Sequence, residues 1–419
     1  FFSSSNVLIY NYCDMKKNIS SNKMQYAFIL LSYIGSYLNN DYVLLLSLVY
    51  FIVLLIFVPI EQCLIVFIKI SPLFMITLDN VLIYPYLLII PIFKMIPKIK
   101  LNFLIVIYIF LLGCIIFYND FGKFYFSNML IYLNIIFLIL FVNSVDLVKI
   151  YSIEIIDNLI ITNVIFLLFT VVTGEVIFMH ARLGAEFSQF GGSMGIPLNA
   201  LILICCSYLK YFRYERNYKI FWMLFTLSFI VGLLTISRVF ILGLCFFIIC
   251  LIIDIKENKR SFFLFFFLIL FFFSLITIFF SQFNYLLTRG ETDISTGRFD
   301  IYASILTFLF SNVSDLLFGT ATGYATFLSA EYPILKMSAH NLFLELIMQF
   351  GLVGFLCIVY IVTNGTSLKK IPKEYFRTSF TEYIPLIVYI SSFLVSGSIY
   401  YTKTIITFIA LFLIKKYKI

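Results

Sequence analysis

The chain has 419 residues, of which 62% are hydrophobic and 12% are charged, and its mean hydropathy is +1.06. A soluble domain has roughly 45–50% apolar and about 25% charged residues, so the composition excludes a water-soluble globular protein. The net charge of +8 comes from basic residues scattered between apolar runs. A nucleic-acid surface gathers such residues on one face, so no nucleic-acid partner is expected.

Apolar runs of membrane-spanning character follow one another along the chain. They fall at about 24–38, 42–60, 63–78, 81–93, 101–118, 129–145, 156–175, 195–210, 219–236, 239–254, 261–281, 341–363, 382–398 and 402–415. A spanning helix needs about 20 apolar residues, and prolines interrupt 63–93, which can form two short spans or one kinked helix with an interfacial piece. The sequence therefore predicts an all-α polytopic membrane protein with 12–14 transmembrane helices, forming a single membrane domain over residues 1–419.

The basic residues also predict an orientation in the bilayer. If the amino terminus is cytoplasmic and the connections alternate, 21 of the 29 Lys and Arg residues fall on cytoplasmic connections and 7 on outer ones. Cytoplasmic loops are enriched in Lys and Arg, so the count supports this alternation. The chain starts at Phe1, Met15-Lys16-Lys17 has the form of a natural start, and no cleavable signal peptide is expected.

One outer connection, residues 282–338, is much longer than the others. Loops of this length inside compact proteins are usually functional or disordered, and the apolar spacing over 299–310 and 316–318 favours short helices lying at the membrane surface. A second outer segment, 176–194, contains His180 and Arg182. The active site is therefore expected at the outer end of the bundle.

A specific motif closes the long loop. His340-Asn341 is followed, after nine intervening residues, by Gly351-Leu352-Val353-Gly354. The same order along the chain includes Ser237-Arg238, Thr296-Gly297-Arg298 and Leu317-Phe318-Gly319. Together these pieces resemble the O-antigen ligase and O-antigen polymerase superfamily of bacterial envelope glycosyltransferases, over roughly residues 175–365. The two glycines of the motif are expected to permit close helix packing.

The resemblance implies a fold like that of the C-type glycosyltransferases and a metal-independent, inverting transfer that uses no cofactor. The donor would be an oligosaccharide on undecaprenyl pyrophosphate, at the periplasmic face of a bacterial inner membrane. The favoured reading is a repeat-unit polymerase for O-antigen or capsule, because a composition typical of AT-rich genes suits polysaccharide gene clusters. The alternative is a ligase acting on the lipid A core; partners would be the lipid-linked sugar, the bilayer and, for a polymerase, a chain-length regulator.

The residues themselves suggest roles in such a transfer. His340 has a pKa range suited to taking a proton from a sugar hydroxyl, although a histidine here can also simply cap the following helix. Arginine binds phosphate oxygens bidentately and stays charged, so Arg238 and Arg298 are candidate pyrophosphate ligands. Arg289 and Arg182 are weaker candidates, since a loop arginine is often only solvated. The family's spacing of Arg and Gly is not met cleanly at Arg182.

Two further residues are expected to support the site. Glu345 lies five residues inside a span, and intramembrane acids are functional candidates by default, although this one can also bond a neighbouring helix. Asn341, which follows His340, is the other predicted supporting residue. No metal site is expected, because Glu291 and Asp293 stand without a His or Cys cluster. A flippase for the same lipid is a weaker alternative, because its charges would lie near the bilayer midplane.

Overall fold

The computed structural model describes part of the chain. This part comprises residues 22–78, 81–98, 126–145, 152–173, 176–177, 182–183, 192–235, 237–254, 262, 264–270, 298–319, 341–365, 380–394 and 402–414.

Helices make up nearly all of this part of the chain. They are α1 Asn22–Tyr37, α2 Asp41–Phe57, α3 Ile60–Ile70, α4 Ile89–Met95, α5 Phe126–Ser144, α6 Ser152–Thr173, α7 Gly192–Ser207, α8 Tyr218–Leu234, α9 Arg238–Asp254, α10 Arg298–Ser311, α11 Val313–Phe318, α12 Leu342–Asn364, α13 Phe380–Ser392 and α14 Thr402–Phe412. Short 3₁₀ helices cover Ser71–Met75, Tyr84–Leu88 and Ile96–Lys98, and a π-helix, Tyr208–Tyr214, extends α7. The strands form two antiparallel hairpins, β1 Thr77–Leu78 with β2 Val81–Leu82 and β3 Val176–Ile177 with β4 Arg182–Leu183.

Three helical stretches in the described residues are long and apolar enough to cross a bilayer. They are Ser152–Thr173, Gly195–Tyr214 and Leu342–Asn364. Several further apolar helices of 10–17 residues accompany them. The prediction of an all-α polytopic membrane protein is confirmed, whereas the number of spans stays a prediction.

The proline-interrupted segment 63–93 takes a form that the sequence did not suggest. Its two helices, α3 and α4, are too short to cross a bilayer, and the β1–β2 hairpin lies between them. The segment returns to its starting point, because the Lys94 ammonium donates to the carbonyls of Leu55 (2.6 Å) and Val58 (2.7 Å) at the end of α2. Proline cannot continue a helix, and irregular backbone at membrane depth is tolerated where protein covers it. The segment therefore leaves the end of α2 and folds back to it.

Polar contacts mark one end of the helix bundle. Asp254, at the end of α9, accepts hydrogen bonds from Tyr208 (2.5 Å) and from Thr381 at the start of α13. Tyr214 donates to Glu382 at 2.7 Å. All of these residues adjoin connections that the basic-residue count assigns to the cytoplasm. The alternation is therefore consistent with the packing.

Helices α9 and α13 run antiparallel along the bundle. Asp254 and Thr381 meet at one end. Near the opposite end, Gly243, which is eleven residues before Asp254, faces Ser392, which is eleven residues after Thr381. Arg238 and Leu394 extend beyond that second contact. Both residues therefore lie at the end of the bundle that is expected to face outward.

The described part of the long outer connection contains two helices, as predicted. Helix α10 packs on α12 through a small apolar cluster of Ile305, Leu309 and Met348. Helix α11 packs on α12 as well. The loop is thus joined to the helix that follows the His-Asn motif.

Reporter fusions test the expected sidedness. A fusion after Lys259 should report the cytoplasm and one after Asn312 the periplasm, because the two positions are separated by one span in the predicted alternation. Alkaline phosphatase and green fluorescent protein read the two sides with opposite signals. Both fusions reporting from the same side would contradict the orientation and the placement of the site with it.

Candidate functional site

A single backbone carbonyl, that of Leu394 just beyond α13, joins two elements of the candidate site. It accepts the Tyr302 hydroxyl of α10 at 3.3 Å and the Asn341 side-chain amide at 3.4 Å. The neighbouring carbonyl of Phe393 accepts the Leu342 backbone N–H at 3.2 Å. The amino-terminal ends of α10 and α12 therefore meet at the end of α13.

Asn341 is the amino-terminal cap of α12. Its side-chain oxygen accepts the backbone N–H groups of Phe343 (3.0 Å) and Leu344 (3.2 Å), while its amide nitrogen contacts Leu394. Asparagine is among the best residues at this position, because its oxygen satisfies N–H groups that lack a helical partner. Asn341 thus fixes where the helix following His340 begins. His340 itself lies outside the described residues.

The structure describes the predicted phosphate ligands to different extents. Arg298 is the first residue of α10, one turn before Tyr302, so its backbone lies on the side of α10 that reaches Leu394. Arg182 belongs to β4, where its backbone pairs with Ile177. The side chains of these two arginines and the whole of Arg289 lie outside the described residues. The structure therefore places the backbone of Arg298 at the convergence of α10 and α12.

Arg238 opens α9 directly after a tight helical hairpin. Helix α8 ends at Leu234, and the Ser237 carbonyl accepts the N–H of Phe240 at 3.1 Å to start the next helix. A Cβ on Gly232 would stand 2.2 Å from the Phe240 ring, so glycine allows the two helices this close approach. Arg238 is half-buried at the start of α9. This agrees with the expectation of an arginine held between two apolar runs with almost no loop.

Glu345 is fully buried in the first turns of α12. Its backbone N–H donates to the Asn341 carbonyl at 3.0 Å, so the carboxyl group lies one turn from the cap. The amino-terminal end of a helix carries a partial positive charge, which favours an acid there. Glu345 therefore belongs to the same end of α12 as the His-Asn motif.

The motif Leu317-Phe318-Gly319 docks onto a break in α12. Gly351 has a φ of +64° inside that helix, and Gly319 ends α11 with a φ of +80°. A Cβ on Gly351 would stand 2.2 Å from the Leu317 carbonyl oxygen, and one on Gly319 would stand 2.4 Å from that of Gln349. Each glycine therefore allows both a left-handed backbone and a close approach of the other segment. The expected role of Gly351 in close packing is confirmed.

The profile of a family described as O-antigen ligase matches residues 222–359. The match covers 138 of the 419 residues. No curated protein and no solved structure matches the chain. The predicted resemblance to the O-antigen polymerase and ligase superfamily is confirmed, and with it a glycosyltransferase-like enzyme family.

The matched segment contains most of the predicted site residues. It covers Arg238, the long connection with Arg289 and Arg298, and the His340-Asn341 motif, and it ends inside α12. Arg182 lies outside the matched residues. The family match and the convergence of α10 with α12 therefore concern the same part of the chain.

Sequence reasoning missed several residues that the structure brings to notice. Tyr302 could have been found as an aromatic residue one turn after Arg298. Lys403, at the start of α14, is 8% exposed, lies 5.1 Å from the Phe166 ring centre and has no hydrogen-bond partner among the described residues. A lysine inside an apolar run is itself a signal. The Leu394 carbonyl group could not have been found from the sequence, because a backbone group has no sequence signature.

No group of three or more His, Cys, Asp or Glu side chains suited to a metal occurs in the described part of the chain. The described side chains at the start of α12 and on the facing turn of α10 are an amide, a buried carboxyl group and a phenol.

Alanine at either glycine of the α11–α12 contact should destabilise the protein. Gly319 (ψ 172°) and Gly351 (ψ 177°) combine a positive φ with an extended ψ, a backbone conformation that costs an alanine about 1–3 kcal/mol. The clash with backbone atoms adds to this cost, because backbone cannot rotate away. Gly351→Ala and Gly319→Ala should each lower the thermal unfolding midpoint of the purified protein.

Gly35→Ala is the matched control. A Cβ there meets only the side chain of Val43 and Leu44, at 3.0 Å or more, and Gly35 is not among the glycines with positive φ. Its unfolding midpoint should stay near that of the wild type. An equal loss in all three variants would mean that the close approach of α11 and α12 is not what matters.

Proposed function

We propose that the protein is a repeat-unit polymerase for O-antigen or capsule. It transfers an oligosaccharide from undecaprenyl pyrophosphate to a lipid-linked acceptor at the periplasmic face of a bacterial inner membrane. The observation that carries the proposal is the shared Leu394 carbonyl, which joins the helix opened by Arg298 to the helix that follows His340. A donor-binding residue and an acceptor-activating residue need this kind of proximity.

The arginines supply the electrostatic part of the proposal. When the glycosyl bond breaks, negative charge develops on the pyrophosphate, and positioned guanidinium groups stabilise it at the moment of reaction. Arg298 and Arg238 are the proposed ligands, with Arg289 and Arg182 as further contacts. A lipid pyrophosphate is already a good leaving group, so these charges can take the place of a metal ion.

His340 is the proposed base. It takes the proton from the acceptor hydroxyl as that oxygen bonds to the anomeric carbon, while the bond from the anomeric carbon to the pyrophosphate oxygen breaks. Attack opposite to the leaving group inverts the configuration. Asn341 and Glu345 act as supporting residues, because Asn341 sets the start of α12 and Glu345 lies one turn further along it.

A ligase is the second candidate, and the description of the matched family favours it. In a ligase the same donor chemistry would deliver a finished polysaccharide to the lipid A core. The two candidates differ in acceptor, and the proposed residues serve both.

Arg298→Lys tests the phosphate-binding role. Lysine keeps the charge but loses the planar fork that matches two phosphate oxygen atoms, so transfer should fall by roughly tenfold or more. Arg289→Lys is the control and should have a mild effect. Transfer is measured with purified protein and a lipid-linked repeat unit, and full activity of Arg298→Lys would make Arg298 a surface charge only.

His340→Ala separates polymerase from ligase in a host that makes lipopolysaccharide. If the protein is the polymerase, single repeat units should still reach the lipid A core, because another protein ligates them. If it is the ligase, long chains should stay on undecaprenyl pyrophosphate and the core should be bare. In a capsule producer, the polymerase variant should lose polymer altogether. Normal long chains on the core would remove the catalytic role of His340.

A further inference from the structure

A lysine at the start of α14 is buried beside an aromatic ring. Lys403 is 8% exposed, and its ammonium nitrogen lies 5.1 Å from the centre of the Phe166 ring. This nitrogen has no hydrogen-bond partner among the residues that the structure describes. A cation–π contact offsets only part of the cost of removing an ammonium group from water. The ammonium group of Lys403 therefore has an unused capacity to bind an anion.

A second hydrogen-bond donor lies next to Lys403 in the chain. Thr402 is fully buried, and its hydroxyl group also has no partner in the described part of the protein. The two residues open α14, whose first turn contains no acidic residue. The first N–H groups of a helix lack helical partners and carry a partial positive charge. The start of α14 thus combines an ammonium group, a hydroxyl group and the N–H groups of a helix.

The start of α14 lies at the same end of the bundle as the candidate site. The Tyr389 hydroxyl of α13 donates to the Thr404 carbonyl at 3.3 Å. One turn after Tyr389, the Phe393 carbonyl accepts the N–H of Leu342 at the start of α12. The starts of α12 and α14 therefore both adjoin the last turn of α13, where α10 and α12 converge.

The surroundings of Lys403 differ from those of Lys69, another buried lysine. Lys69 is 3% exposed, and its ammonium group donates to the side-chain oxygens of Asn22 (2.6 Å) and Gln25 (2.8 Å). Most residues of α14 are buried, so Lys403 faces protein rather than lipid head groups. A lysine near the end of a spanning helix usually extends to the interface, and a charged side chain held inside the membrane domain is a functional candidate.

The charge at the start of α14 restricts the ligand. Lys403 brings one full positive charge into the interior of the bundle, where an unpaired charge of either sign is costly. A carboxylate brings one negative charge, and its oxygens accept hydrogen bonds from both an ammonium and a hydroxyl group. A pyrophosphate carries more than one negative charge, so it would leave charge unpaired there. A carboxylate therefore matches this position better than the carrier pyrophosphate does.

We infer that Lys403 and Thr402 bind the carboxylate of an acidic sugar in the repeat unit. This rests on the proposed function, since it takes the repeat unit to lie at the outer end of the bundle. Lysine has a flexible four-carbon stem, so from the first turn of α14 the ammonium group can leave the Phe166 ring and meet a carboxylate at that end. The lysine then selects among repeat units, whereas the arginines bind the pyrophosphate that all of them share.

Lys403→Met distinguishes this role from a structural one by the sign of its effect on stability. Methionine has a similar length and no charge, so it removes an unpaired buried charge and should raise the thermal unfolding midpoint of the purified protein. Sodium glucuronate should raise the midpoint of the wild type by about 2 °C or more, because a ligand of the folded state stabilises it. The midpoint of Lys403→Met should not respond to glucuronate.

Lys69→Met is the matched control. It removes the donor to Asn22 and Gln25, so it should lower the midpoint, and it should keep the response to glucuronate. Inorganic pyrophosphate at the same ionic strength tests the charge argument. A wild type that does not respond to glucuronate, a response that persists in Lys403→Met, or a pyrophosphate response that Lys403→Met removes would each overturn the inference.

Thr402→Val gives the answer if the methionine variant does not fold. Valine has nearly the shape of threonine and lacks its hydroxyl group, so the shift with glucuronate should be smaller than in the wild type. A shift of the same size would contradict the assignment of Thr402 and Lys403 as a joint site.

Substrate selectivity provides the functional measurement. The ratio of kcat/KM for a repeat unit with a hexuronic acid to that for its neutral analogue should fall by roughly tenfold or more in Lys403→Met, because a buried charge pair is lost. An unchanged ratio would overturn the inference. The midpoint shifts need no sugar transfer, so a protein that responds to glucuronate through Lys403 but transfers no sugar would retain the carboxylate site and lose the proposed transferase. An active transferase without this response would do the reverse.

Discussion

The candidate site depends on a backbone contact between two glycines with left-handed conformations. Gly319 and Gly351 let the end of α11 approach the break in α12 so closely that a single Cβ on either would collide with the other segment. This contact connects the long outer connection to the helix that follows His340. Helix α10 precedes α11 and packs on the same helix, so the glycine contact also restricts where the backbone of Arg298 can lie.

The second constraint is the pairing of polar groups, because a polar group removed from water needs a hydrogen-bond partner. The Leu394 carbonyl meets this need for two side chains from different elements, Tyr302 and Asn341. Its position just beyond α13 follows from the antiparallel packing of α9 and α13, which also brings Arg238 to that end of the bundle.

The sequence by itself determined the membrane class, the two helices of the long connection and the family, because hydropathy, helical spacing and the His-Asn and Gly-x-x-Gly motif are local patterns. It also predicted that Gly351 serves close packing. Only the tertiary structure showed that Leu317-Phe318-Gly319 packs on Gly351, that Tyr302 and Asn341 share the Leu394 carbonyl, and that the segment around Pro72 and Pro85 folds back to the end of α2. These features join residues far apart in the chain through backbone groups, and a backbone group is the same in every residue, so no sequence pattern records its partner.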